Sequence, residues 1–103
     1  MPAYHASKAG LLNLVRALAD ELGPQGVTVN AVCPGWIDTP FNDAFWHHQD
    51  DPDAARRALD AAIPLRRQGD PDDVTGTVLF LASAASAYVT GQAIVVDGGY
   101  TAV

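Results

Sequence analysis

Tyr4 and Lys8 stand four residues apart, separated by His5, Ala6 and Ser7. On a helix that spacing puts both side chains on one face, with Cβ atoms about 6 Å apart. A lone tyrosine is a poor base at neutral pH, because its ordinary pKa is about 10. An ammonium held nearby favours the phenolate and draws that pKa down. A phenol tuned in this way can give or take a proton at a substrate oxygen. Lys8 is the only lysine in the chain. An ordinary surface pair on a helix satisfies the same spacing.

The other chemistry-bearing residues are less suggestive. His47 and His48 precede Asp50 and Asp51, but adjacent histidines project in different directions, and no second ligand cluster accompanies them. No metal site is therefore expected. Cys33 has no neighbouring base in sequence and reads as a packing residue at a strand end. A single cysteine cannot form an internal disulfide, which fits a reducing, cytoplasmic setting. No Gly-x-Gly-x-x-Gly turn follows a strand, so the usual pyrophosphate-binding fingerprint is missing from these 103 residues.

The elements that must position Tyr4 and Lys8 follow from periodicity. A helix is predicted from about Pro2 to Leu22, with Leu11, Leu14, Val15, Leu18, Ala19 and Leu22 as its apolar stripe. Gly23-Pro24 is expected to end it. No residue precedes Met1 to cap the start, which suggests a chain that begins inside a larger pattern. Val27 to Cys33 reads as a buried strand, closed by Pro34-Gly35. The helix from Tyr4 spans about 27 Å, at 1.5 Å per residue. The strand returns about 20 Å, at 3.3 Å per residue. Tyr4 and Pro34-Gly35 are thus expected at one sheet edge, where open α/β sheets bind ligands. Residues 36–69 are less regular and carry Trp36, Phe41, Phe45 and Trp46. A helix is expected from Asp51-Pro52 to about Ala62, and the whole excursion reads as a lid or substrate loop. Asp70-Pro71-Asp72-Asp73 opens another helix, with a stripe of Val74, Val78, Leu81, Ala82 and Ala85. Gly76 within it suggests close packing. Ala93 to Val96 is a last strand. Strand, helix, strand is a βαβ unit, with parallel strands and a right-handed crossover.

The whole chain bounds the rest. The length suits one small domain, and 49% hydrophobic residues allow a core. The net charge of −6 argues against nucleic acid or an anionic membrane as a partner. No apolar run is long enough to cross a bilayer. Met1-Pro2-Ala3 leads into the helix without the regions of a signal peptide.

Taken together, Tyr4–Gly10, Val27–Pro40, Pro64–Val74, Leu79–Ser83 and Thr90–Gly99 resemble the C-terminal part of a short-chain dehydrogenase/reductase, in that family's order and spacing. The resemblance implies an α/β fold: the C-terminal part of a Rossmann-like, doubly wound parallel sheet, with residues 1–103 as a single partial domain. It implies Tyr4 as catalytic acid/base, and Lys8 as ligand of the nicotinamide ribose and tuner of Tyr4. Pro34, Gly35, Ile37 and Thr39 would cradle the nicotinamide end of NAD or NADP, with backbone groups near Ile37 and Thr39 meeting the carboxamide. Trp36 and Phe41 would border a small-molecule carbonyl or alcohol. Asn30 and Asp97-Gly98-Gly99 look structural. The family's glycine-rich turn and its catalytic asparagine and serine precede the tyrosine, so none falls within this sequence. The chain then reads as part of a longer oxidoreductase that forms homo-oligomers. The competing readings are a shortened relative serving as an interaction module, and a small helical scaffold.

Overall fold

A computed structural model describes all 103 residues, Met1–Val103. The architecture is α/β, and the chain folds as two compact units, each visited twice: Met1–Val32 with Val78–Ile94, and Cys33–Thr77 with Val95–Val103. Helix α1 (Pro2–Leu22) belongs to the first unit. Strand β1 (Ala31–Pro34) and strand β2 (Ala93–Val96) pair in a two-stranded sheet and run through both units. The second unit holds α2 (Asp43–His47), α3 (Pro52–Ala62) and the start of α4 (Pro71–Leu81).

In the first unit, Val15 and Ala19 are buried and Leu12, Leu18 and Leu22 half-buried. Leu11 and Leu14, expected in the same stripe, are 58% and 52% exposed. Every residue from Met1 to Leu11 is exposed, so burial is confined to the C-terminal half of α1. A 21-residue helix is about 31 Å long, at 1.5 Å per residue, and only its C-terminal half carries buried residues. The helix ends at Leu22, before Gly23-Pro24 as expected, but not through a left-handed Gly23. Gly23 keeps a right-handed conformation and opens a 3₁₀ turn over Gly23–Gln25. Pro24 is readily accommodated in such a first turn, and the left-handed step falls at Gly26, φ 76°.

Strand β1 is shorter than the predicted Val27–Cys33. Ahead of Ala31 the pairing is irregular: the Gly91 amide donates to the Val29 carbonyl at 2.7 Å, and side chains make the other bonds. The Val29 amide donates to Thr90 Oγ1 at 3.0 Å. Asn30 Nδ2 donates to the Val89 carbonyl at 3.0 Å, and its Oδ1 accepts from the Gln92 amide at 3.1 Å. The ladder proper runs from Ala31 N–H to Gln92 O at 2.8 Å to Gly35 N–H to Val96 O at 2.9 Å. Both strands advance by four residues between these bonds, as parallel strands do.

In the second unit, Trp46 and Ile63 are the most buried apolar residues, each 2% exposed. Helix α3 starts as expected, with Asp51 Oδ1 accepting from the Ala54 amide at 3.1 Å. Helix α4 passes into the first unit at Val78 and stops at Leu81, and Ala85 lies in a separate 3₁₀ turn of that unit, Ala84–Ser86, instead of extending the apolar stripe. Ser83 caps that turn, and buried Ser86 donates to the Leu81 and Ser83 carbonyls, so hydroxyls divert the chain from the helix. Gly76 is not a site of close packing, because a Cβ there would meet nothing within 4 Å. Gly35 is the opposite case. A Cβ there would sit 2.5 Å from Asp97 Cβ and 2.9 Å from Asp97 Cα.

These two glycines give opposite expected outcomes in urea denaturation. Gly76→Ala should raise the stability of the chain by about 0.5–1 kcal/mol, by removing unfolded-state freedom in a helix interior. Gly35→Ala should lower it by about 1–3 kcal/mol, the usual cost of overpacking, because the obstructing atoms belong to or adjoin backbone.

Candidate active site

Tyr4 and Lys8 lie one helical turn apart on α1, and both are exposed. Ser7 Oγ donates to the Tyr4 carbonyl at 3.0 Å, and the Tyr4 ring meets His5 edge-on at 5.7 Å. Both residues belong to the first unit. The residues expected at the nicotinamide end and at the substrate lie in the second, on the loop that leaves β1.

That loop is built outward from Pro34 and Gly35 at the carboxyl end of β1. Ile37 forms an isolated parallel bridge with Gly69. The Gly69 amide donates to the Trp36 carbonyl at 2.9 Å, and the Asp38 amide donates to the Gly69 carbonyl at 2.8 Å. In such a bridge the flanking peptides make the bonds, and the central residue turns its own N–H and C=O to the other side. Ile37 therefore presents a donor and an acceptor side by side, the pattern that matches a primary carboxamide. The acceptor half is engaged by Asn42 Nδ2, which donates to the Ile37 carbonyl at 2.7 Å.

The two aromatic candidates part company. Trp36 is half-buried, with its ring centroid 5.3 Å from Phe45 and 6.0 Å from Trp46. Arg56 lies 5.0 Å over the Trp46 ring. Phe41 is 93% exposed and stands apart from that cluster. Thr39 precedes a 3₁₀ turn, Pro40–Asn42, that leads into α2.

A cavity of about 150 Å³ opens beside the loop, lined by Trp36, Ile37, Leu65, Arg67, Gly69, Asp73, Val96, Asp97 and Gly98. The sequence pointed to neither Asn42 nor Arg67 as a site residue; Asp73 was expected only in a helix start, and Asp97 only in a structural role. The Asp70-x-x-Asp73 spacing was the available signal, since a capping residue and a partner three positions on can bond each other's amides. Asp73 Oδ2 accepts from the Asp70 amide at 2.8 Å, and Asp70 Oδ1 accepts from the Asp73 amide at 3.1 Å. Arg67 grips Asp73 through Nη1 and Nη2 of its guanidinium, at 2.7 and 3.2 Å. The Arg67 hydrogen bond and then the Asp70 amide hold the Asp73 carboxyl down to about 2, against an ordinary value of 3.8. The Asp97 carboxyl is also lowered, first by the Thr101 hydroxyl and then by the Thr101 amide.

Comparison with known proteins identifies the family. A family model described as enoyl-(acyl carrier protein) reductase matches residues 1–101. The chain belongs to the short-chain dehydrogenase/reductase family. The 3-oxoacyl-[acyl-carrier-protein] reductase FabG of Thermotoga maritima is 45% identical over 96 residues, covering 93% of this chain and 37% of the relative. The L-rhamnose 1-dehydrogenase (NAD(P)(+)) of Azotobacter vinelandii is 44% identical over 97 residues, covering 93% and 36%. The crystal structure of a short-chain type dehydrogenase/reductase from Mycobacterium marinum superposes with a TM-score of 0.80 at 44% identity, covering 97% of this chain and 37% of that one. This dehydrogenase/reductase chain thus spans a little over a third of the length of the relatives it matches. No helix in it is long and apolar enough to cross a membrane.

The Asp73 and Asp97 environments predict a pH response. Both carboxyls are lowered in the folded chain, so their stabilisation is present above the unfolded value, near 4, and is lost as pH falls through the folded one, about 2 for Asp73. Urea midpoints measured from pH 5 to pH 2 should therefore fall. Asp73→Asn should show a shallower fall, with Asp97 supplying what is left.

Proposed function

We propose that the complete protein is an NAD(P)-dependent oxidoreductase that interconverts a small-molecule carbonyl and an alcohol. The observation that carries this reading is the family match over residues 1–101, which includes Tyr4 and Lys8 one turn apart on an uninterrupted helix. Tyr4 is the acid/base: its hydroxyl gives a proton to the carbonyl oxygen in reduction and takes it back in oxidation. Lys8 holds the nicotinamide ribose and favours the Tyr4 phenolate. When bound, the dinucleotide supplies or accepts the hydride. The carboxamide-matched edge of Ile37 supports Pro34, Gly35, Ile37 and Thr39 as the cradle of its nicotinamide end. The aromatic cluster supports Trp36 as a wall of the substrate site, with Phe41 at its exposed margin. The protein is read as a cytoplasmic homo-oligomer. Leu11 and Leu14, exposed on the helix that carries Tyr4, support self-association and favour a second reading, a non-catalytic interaction module. Calorimetric titration of NADH and NADPH into the protein separates the two, since the module would bind neither.

Two variants of the protein, completed to the length of its relatives, test the roles. Tyr4→Phe keeps the ring and removes the titrating group. It should lower kcat by about 10²- to 10⁴-fold, the worth of general acid/base catalysis, with cofactor Kd nearly unchanged. Near-normal kcat would remove Tyr4 from the chemistry. Lys8→Met should weaken cofactor binding and also shift the pH–rate profile to higher pH. A variant with unchanged Kd and profile would end the double role of Lys8.

A further inference from the structure

We infer that Asn42 is an internal competitor for the nicotinamide carboxamide, and so sets how tightly the nicotinamide end is held. The inference rests on the proposed cofactor reading and concerns a residue that reading does not use. Asn42 carries the same functional group as nicotinamide, a primary carboxamide. Its Nδ2 donates to the Ile37 carbonyl at 2.7 Å in a half-buried setting. That carbonyl and the Ile37 amide lie on one side of the chain, because the bridge to Gly69 uses the carbonyl of Trp36 and the amide of Asp38. A carboxamide that reads this edge donates its NH₂ to the Ile37 carbonyl and accepts from the Ile37 amide. Asn42 already makes the first of those two bonds.

The position of Asn42 sharpens the point. It is the residue before α2 (Asp43–His47), where an asparagine ordinarily turns its side-chain oxygen to a backbone amide of the first turn. Here it makes no such bond. The side chain is directed to Ile37 instead. Helix α2 carries Phe45 and Trp46, which pack with Trp36 on the same loop. Displacing the Asn42 amide from Ile37 therefore acts on the segment that bears the aromatic wall.

The test is the affinity of the full-length protein for two ligands, measured by calorimetry. One is NADH or NADPH, whichever binds the wild type more tightly. The other is its 3-acetylpyridine analogue, in which a methyl group replaces the carboxamide NH₂. Asn42→Ala should tighten binding of the natural dinucleotide by about three- to tenfold, the worth of one hydrogen bond. It should leave the analogue within about twofold, since that ligand has no NH₂ to compete with. Asn42→Asp keeps size and capping ability while losing the donor, and should change the ratio of the two affinities in the same direction. Weaker binding of the natural dinucleotide, or an equal change for both ligands, would mean that Asn42 merely supports the loop and would overturn the inference. A wild type that binds neither dinucleotide would overturn the cofactor reading itself, a result distinguishable from failure at Asn42.

Discussion

The contact of Gly35 with Asp97 is the constraint on which the second unit depends. The parallel ladder brings the Gly35 amide to the Val96 carbonyl, and the next residue, Asp97, then lies where a Gly35 side chain would be. Because position 35 has no Cβ, the two strand ends can stay paired up to the point where both chains turn away. Asp97 directs its carboxylate to the Gly99 and Thr101 amides and the Thr101 hydroxyl. Those bonds hold the left-handed pair Gly98 and Gly99, φ 64° and 91°. The turn in its place lets the Gly98 carbonyl accept from the Leu65 amide and leaves room for Ile63. A substitution at one small residue thus reaches the buried centre of the unit.

The loop leaving β1 is oriented mainly by its backbone. Its side chains do little of the hydrogen bonding. The bridge between Ile37 and Gly69 does the orienting, because planar peptides that point their polar groups at Gly69 must leave those of Ile37 facing away from it. Gly69 is confined in turn: a Cβ there would come within 2.8 Å of Ile37 Cδ1. The ion pair of Arg67 with Asp73, and the reciprocal bonds of Asp70 and Asp73, then anchor the start of α4 immediately after Gly69. Both partners of that ion pair are partly exposed, so its role is geometric more than energetic.

Much of the secondary structure was legible because its causes are local. Pro2 and the leucine spacing define α1, Asp51-Pro52 starts α3, Asp70-Pro71 starts α4, and β-branched residues define β2. Each depends on residues a few positions apart. The one-turn spacing of Tyr4 and Lys8 on α1 was legible for the same reason, as was the family, whose short motifs keep their order along the chain. The misreadings have non-local or side-chain causes. Val27 to Asn30 have the composition of a strand, but the Thr90 hydroxyl takes the Val29 amide and the Asn30 side chain takes the Val89 carbonyl and the Gln92 amide, so the regular ladder does not extend there. Leu11 and Leu14 have the periodicity of a buried stripe, yet burial depends on what lies opposite, not on spacing.

By itself, then, the sequence determined the helices, the last strand, the family and the residue types available for proton transfer, because propensity, capping and motif order act over short stretches of chain. Only the tertiary structure decided which apolar residues are buried, where β1 begins, that Gly35 packs against Asp97, and that Asn42 bonds the carbonyl of Ile37. Those outcomes depend on which surfaces and backbone groups meet, and a one-residue change in pairing would alter every one of them.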